Sequence, residues 1–320
     1  MSDVKEEVSP LSEEQLRQID VEYAELNDSD IIERLAYLEI NNNEKRIVIS
    51  DIEPTKEITS VSNQIFEIQK DFKKIKNMFE LFISDVSDFL SIKNKLESKE
   101  LEIEEADVNR FMIHLLSSGK LFVDFNENQI KQKYSKDSEE FGCIHGFASY
   151  QYDTNFAYRF CHSLRNYSQH IELPINEVKA VSPDDETVII DFYIDLDYLL
   201  NSNFKWKKLK GELIKLNQET SKIDAIALVK EYFNALTDLY GNYNKLFLKL
   251  NHNTLVDIKS KLESLNLKHS RYYISKISKY DLKYNPGNYT MSPLAAFAEI
   301  EEIYIELSKI GLVKIVNKSN

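Results

Sequence analysis

The chain has 320 residues, of which 42% are hydrophobic, 11% aromatic and 29% charged, with a net charge of −13 and only seven glycines and six prolines. That length exceeds a typical single domain and can bury a sizeable core, while the scarcity of Gly and Pro excludes a turn-rich β protein and favours long helices. Two cysteines, Cys143 and Cys161, with no second pair, exclude a disulfide framework and a structural zinc site.

The first residues, Met1 to Glu7, are acidic where a secretory signal needs a basic and then an apolar run. No later stretch approaches 18 uninterrupted apolar residues, so the expectation is a soluble, unprocessed protein of the reducing cytoplasm that does not enter a membrane. Residues 1–56 hold 15 acidic against six basic residues, a net −9 of the total −13, so the rest of the chain is close to neutral. This segment opens on Ser12-Glu13-Glu14-Gln15, a capping-box pattern, followed by Leu16, Ile19, Tyr23 and Leu26 on one helical face. A second short helix is expected from Asp28 or Ser29, lined by Ile31, Leu35 and Leu38, then loops around Asn41 to Asn43 and Pro54 that flank a short strand at Ile47 to Ile49. An acidic helical terminus offers a docking surface to a protein partner; a solvated helical cap is the alternative reading.

From Ser62 to Leu96, Ile65, Ile68, Phe72, Ile75, Phe79, Phe82, Val86 and Phe89 recur at steps of three and four. A helix of that length spans about 50 Å, and Phe at so many seam positions suits a thick bundle core better than a two-stranded zipper. A second helix is expected from Leu101 to Lys133, with Gly119 as an awkward interior residue. After a connection at Tyr134 to Glu139, a helix from Tyr150 to His170 is expected to return antiparallel beside it. Within it Phe156, Phe160, Leu164 and Tyr167 face a core, which leaves Arg159, His162, Arg165, Asn166 and His170 mainly on the other faces. Asn166 and His170 share a stripe, as do His162 and Asn166, whereas Arg165 flanks it. Pro174 sets the end of the helix near His170.

The run Leu164-Arg165-Asn166-Tyr167-Ser168-Gln169-His170, an Arg and a polar residue followed at fixed spacing by a His, resembles the signature of the HEPN superfamily, a set of all-helical proteins that includes many metal-independent ribonucleases. The resemblance covers six residues of motif. It implies a mainly α fold, a helical bundle of the HEPN type with long antiparallel helices. It also implies that Arg165, Asn166 and His170 are the catalytic positions, and that two chains pair their motif helices into one composite site. No metal or other cofactor is implied. The competing account of the same residues is that Arg165 and His170 are cations favoured by the macrodipole at a helix C-terminus, with Asn166 merely exposed.

Beyond Pro174 the period shortens to two: Asn176 to Ser182 and Glu186 to Ile194 read as a small β-hairpin inserted in the helical protein, joined by a turn with Pro183 at its second position. Asp195 and Asp197 fit the start of a helix at Tyr198 to Leu200 as well as a metal site. Val229 to Phe247 and Leu255 to Leu265 read as two helices, and Ser292-Pro293 as the start of a last one that ends at Gly311 before a strand-like tail from Leu312 to Val316. The chain thus divides into an acidic segment 1–56, a helical core 57–175 carrying the motif, and a hairpin with C-terminal helices at 176–320.

Two stretches mix basic and aromatic residues as a single-stranded nucleic-acid groove requires, Lys205 to Lys210 and Lys268 to Tyr284. From these and from the motif helix, Arg159, His162, Lys207, Lys208, Arg271, Tyr272 and Lys276 are candidates for a supporting or RNA-binding role. Amphipathic packing, with rings inward and lysines outward, accounts for the same patterns. There is no Gly-rich phosphate loop, paired-His zinc helix or nucleophile elbow. Two function classes remain: an endoribonuclease that cleaves RNA by 2′-hydroxyl attack, which the resemblance places among toxins and phage-defence effectors, and a non-catalytic helical interaction protein.

Overall fold

The computed structural model describes residues 31–41, 44–98, 105–183, 188–279, 281, 287 and 289–314. Among these, the protein is mainly helical, with helices α1 (Lys56–Glu97), α2 (Glu105–Tyr134), α3 (Glu139–Thr154), α4 (Phe156–His170), α5 (Leu196–Asn201), α6 (Leu209–Glu219), α7 (Ala225–Ser264) and α8 (Phe297–Lys309). Seven strands accompany them: β1 (Ile31–Asn41), β2 (Glu44–Ile49), β3 (Glu177–Val181), β4 (Ile189–Asp195), β5 (Lys222–Asp224), β6 (Tyr272–Ser278) and β7 (Thr290–Leu294). The chain forms two compact units, residues 1–69 with 253–305 and residues 70–252 with 306–320. Their divisions fall inside α1, α7 and α8, whereas the expected segments end at 56 and 175. The capping-box segment at Ser12 to Leu26 lies outside the described residues.

The first unit contains an antiparallel sheet in the order β2-β1-β6-β7. Its centre corrects the helix expected at residues 28–38. Ile31, Leu35 and Leu38 lie in β1, whose backbone pairs on one side with β2 (Ala36 opposite Ile49) and on the other with β6 (Leu35 opposite Ile274). A strand from the far end of the chain satisfies that backbone and encloses Leu35 and Ala36, so tertiary pairing overrides a helical spacing of only three apolar residues. The short strand expected at Ile47 to Ile49 is present in β2. The last helix also starts later than expected. Ser292 and Pro293 belong to β7, an edge strand where a residue without an N–H is tolerated, and α8 begins at Phe297 with Glu299 Oε2 accepting from the Ala296 N–H at 2.8 Å. Ile300 and Ile303 of α8 are buried, as are Ile58, Val61 and Ile65 at the start of α1. Gln69 ties the two helices together through a 2.7 Å bond to Glu302.

The second unit is the helical one. Phe79, Phe82 and Phe89 of α1 are buried as their seam spacing requires. Phe79 stacks on Tyr240 of α7 with centroids 4.2 Å apart and meets Phe122 of α2 at 5.3 Å, while Phe82 stands edge-on to Tyr232 at 5.5 Å. Offset and edge contacts of this kind contribute about 0.5–1.5 kcal/mol each beyond area burial. The two helices expected at Val229 to Phe247 and Leu255 to Leu265 are one continuous α7. The Asn244 and Asn251 amides donate to carbonyls one turn back, at 2.8 Å each, so the polar residues between the two apolar runs do not interrupt it.

The expected hairpin is the β3–β4 pair of a three-stranded sheet, with β5 added against β4. Ile190, Phe192 and Ile194 point into the core in the expected alternation. Val181 opposite Ile189 closes the ladder, so the connection runs from Ser182 to Val188 and is longer than a tight turn at Pro183. At the C-terminus Gly311, with φ of +74°, ends α8 in a Schellman arrangement: the Leu312 N–H reaches the Leu307 carbonyl and the Gly311 N–H that of Ser308, both at 3.0 Å. Leu312 to Lys314 form no strand, and the rest of the expected tail strand lies outside the described residues.

Gly119 has a packing explanation. A Cβ there would run into the Tyr232 hydroxyl and lie 2.9 Å from the ring carbon Cε1. In an open helix Gly→Ala gains about 1 kcal/mol, but overpacking costs about 1–3 kcal/mol. Gly119→Ala is therefore expected to lower stability in urea unfolding, with partial recovery when Tyr232→Phe removes the clashing oxygen.

Candidate functional site

The motif helix is shorter than expected, because the Tyr150–His170 stretch is broken at Asn155. That residue ends α3, its N–H reaching the Gln151 carbonyl, and starts α4, its side-chain oxygen accepting from the Tyr158 N–H at 2.9 Å. Arg159 secures the break. Its guanidinium donates to the Tyr152 carbonyl at 2.5 Å and pairs with Glu212 of α6 at 2.6 Å, leaving the side chain 12% exposed. Of the expected site residues, Arg159 thus holds the corner before the motif helix.

Phe160, Leu164 and Tyr167 are fully buried on one face of α4, Phe160 and Tyr167 stacking on Trp206 with centroids 5.8 and 5.5 Å away. Beyond the helix, Asn109 of α2 grips the Ile175 peptide at both ends: its oxygen accepts from the Ile175 N–H at 2.8 Å and its amide donates to the Ile175 carbonyl at 2.7 Å. Asn109 thus meets the chain just past the end of α4, while Asp124 and Glu127, further along α2, face His162 and Tyr158, nearer its start. The two helices therefore run antiparallel, as expected.

On the other faces, Arg165 donates from Nη1 to the Asn166 side-chain oxygen at 3.3 Å. Asn166 and His170 are exposed one turn apart on a common stripe, and His170, in the last turn, makes no hydrogen bond among the described residues. Arg165 is half-buried and its Nε has no hydrogen-bond partner. No carboxylate among the described residues pairs with it, although neighbouring cations are widely paired, as in Lys120–Asp124, Arg159–Glu212 and Lys222–Glu177.

His162 lies one turn before Asn166 on the same stripe, its ring 4.4 Å from that of Tyr158 and its Nε2 buried without a partner. Burial first, then the positive charges of Lys120 and Arg165, push its pKa down to about 4, against an upward pull from Asp124. It is neutral at pH 7. Tyr158 is held protonated by burial and by the nearby carboxylates Glu127 and Asp124. Lys120, Asp124 and Tyr158 carry no local motif; an i, i+4 Lys–Asp pair on one helix comes to face a His on another only through the antiparallel packing.

The other expected residues are elsewhere. Lys207 and Lys208 are exposed, while Trp206 between them and Lys205 turns inward and donates to the Leu199 carbonyl at 3.1 Å, the packing account of that stretch. Arg271, Tyr272 and Lys276 belong to the sheet unit. Tyr272 is buried with its hydroxyl accepting from the Lys268 and His269 N–H groups at 2.8 and 3.0 Å, Lys276 pairs with Glu33 at 2.6 Å, and Arg271 is exposed. Asp195 caps α5, accepting from the Tyr198 N–H, and Asp197 accepts from Asn217. Among the described residues no three His, Cys, Asp or Glu side chains converge as a metal site, and no helix is long and apolar enough to cross a membrane. Compared with models of known families, with characterised proteins and with solved structures, the chain matches none.

The depressed pKa of His162 has a consequence for stability. Between its usual value near 6.5 and about 4 the unfolded chain binds a proton that the folded chain does not, so this contribution is complete above pH 6.5 and is lost as pH falls towards 4. His162→Gln is expected to reduce the loss of unfolding free energy between pH 7 and pH 4.5 by on the order of 2 kcal/mol, read from urea curves at the two pH values.

Proposed function

We propose that this chain is a metal-independent endoribonuclease of the HEPN type, acting as a homodimer in the cytoplasm as a toxin or phage-defence effector. The observation that carries the reading is the outward stripe of α4: an arginine with no carboxylate partner, bonded to Asn166, and an exposed histidine one turn further on. In a chain of net charge −13 a guanidinium without an acid partner is suited to an external anion. The burial of Phe160, Leu164 and Tyr167 supports it too, since it aims the motif residues away from the core.

In the reaction, the 2′-hydroxyl oxygen attacks the adjacent phosphorus as its proton passes to a neutral His170. The bond from phosphorus to the 5′-oxygen breaks, that oxygen takes a proton from the His170 of the second copy, and the products are a 2′,3′-cyclic phosphate and a 5′-hydroxyl. Histidine alone has an unperturbed pKa that suits both transfers near neutral pH. Arg165 binds the non-bridging oxygens, whose charge grows in the transition state, and Asn166 orients the guanidinium through the contact already present. Within one chain Arg165 and His170 are five residues apart and diverge around the helix; two α4 helices related by a two-fold bring two of each to one cleft.

The test is cleavage of unstructured RNA in excess chelator. Wild type is expected to produce cyclic-phosphate ends, and Arg165→Ala and His170→Ala each to lose about 3–5 kcal/mol of transition-state stabilisation while keeping a wild-type melting profile. Light scattering should give a dimer at micromolar concentration. Cleavage that requires a divalent ion, or that survives in both variants, counts against the assignment, and a dimeric protein with no cleavage favours the interaction-protein reading.

A further inference from the structure

The motif helix brings to the surface three groups that a six-residue motif does not specify. Lys120 and Asp124 sit one turn apart on α2, joined by an ion pair, and both are within electrostatic reach of His162. Arg165 is a second cation within reach of the same ring. At neutral pH this group holds two positive charges, one carboxylate and a neutral imidazole, so it is locally cationic in an acidic protein. Crowding like charges around a half-buried histidine is unfavourable unless an anion offsets it. Two polar atoms of the group, His162 Nε2 and Arg165 Nε, are buried without a hydrogen-bond partner, and buried polar groups are ordinarily paired. Asp124 holds the Lys120 ammonium from one side only, and that side chain is still 28% exposed, so further donors remain for a ligand.

We infer that Lys120 is a phosphate-contacting residue of the motif site: the ammonium that α2 presents beside His162 and Arg165 binds a backbone phosphodiester of single-stranded RNA, and Asp124 positions that ammonium. The inference rests on the ribonuclease reading for the identity of the ligand, but it concerns binding and not cleavage. Lys120 lies across from His162, one turn before Asn166 on the motif stripe, so the phosphate it holds neighbours the one that Arg165 engages. It gives the strand a track that runs from the exposed end of α4 towards its start. A lysine suits this role because a backbone phosphate needs a point charge and carries no base identity.

The probe is a 2′-O-methyl oligoribonucleotide, which lacks the nucleophile and cannot be cleaved, so binding is read independently of activity. Wild-type protein is expected to bind it with an affinity that falls as salt rises. Lys120→Met should weaken binding about tenfold at low salt and make the slope of log affinity against log salt shallower by about 0.7, the change for one lost phosphate contact on a single strand. Lys120→Arg should restore both. Asp124→Asn, which keeps the shape but frees the ammonium, should leave the slope unchanged and weaken binding less than Lys120→Met. A folded Lys120→Met protein with wild-type affinity and slope overturns the inference, as does failure of wild type to bind the probe at low salt. Normal binding together with no cleavage of ordinary RNA leaves the phosphate site standing and removes the ribonuclease reading.

Discussion

The orientation of the motif helix depends on the burial of one face. Phe160, Leu164 and Tyr167 are withdrawn completely from water, and Trp206 closes over two of them. Full burial of such side chains is worth about 1.5–3 kcal/mol each, well above what any single exposed polar contact on the helix contributes. Rotating α4 by a quarter turn would expose aromatic surface and bury a guanidinium and an amide. The stripe of Asn166 and His170, with Arg165 beside it, therefore faces outward as a consequence of hydrophobic burial and not of polar bonds of its own.

That constraint acts only because the helix is also fixed at both ends. Asn155 stops one helix and caps the next within a single residue, and the Arg159–Glu212 pair with its carbonyl contact closes the corner. At the other end the two-point grip of Asn109 on Ile175 sets where the chain turns away. Neutral amides and one paired guanidinium do this work, which leaves Arg165 and His170 outside the scaffold. Loss of either should therefore be felt at the site far more than in the fold. His162 behaves differently: it is packed against Tyr158 beside two cations, so its protonation is coupled to stability below neutral pH.

Helix content, the phenylalanine seam of α1, the antiparallel α2, the β3–β4 pairing and the division of α4 into buried and outward faces were all legible in the sequence, because each rests on short-range periodicity that repeats over many residues. The three-residue spacing at Ile31, Leu35 and Leu38 misled because so brief a pattern cannot exclude a strand, and what made it one is pairing with β6, more than two hundred residues away. Pro293 looked like a helix start for the same reason: an N-terminal helical position and an edge strand both tolerate its missing donor, and only the sheet order separates the two.

By itself the sequence determined which side chains α4 carries and at what spacing, since helical geometry turns residue number into angle. It also determined that Arg165, Asn166 and His170 fall away from the apolar face. Only the tertiary structure decided that Arg159 serves the corner at Asn155, that Trp206 is a core residue beneath its lysines, and that Lys120 and Asp124 stand across from His162. The physical reason is that these arrangements depend on which helix packs against which and in what direction. That choice is made by the summed burial of aromatic surface over the whole unit, and no local run of residues encodes it.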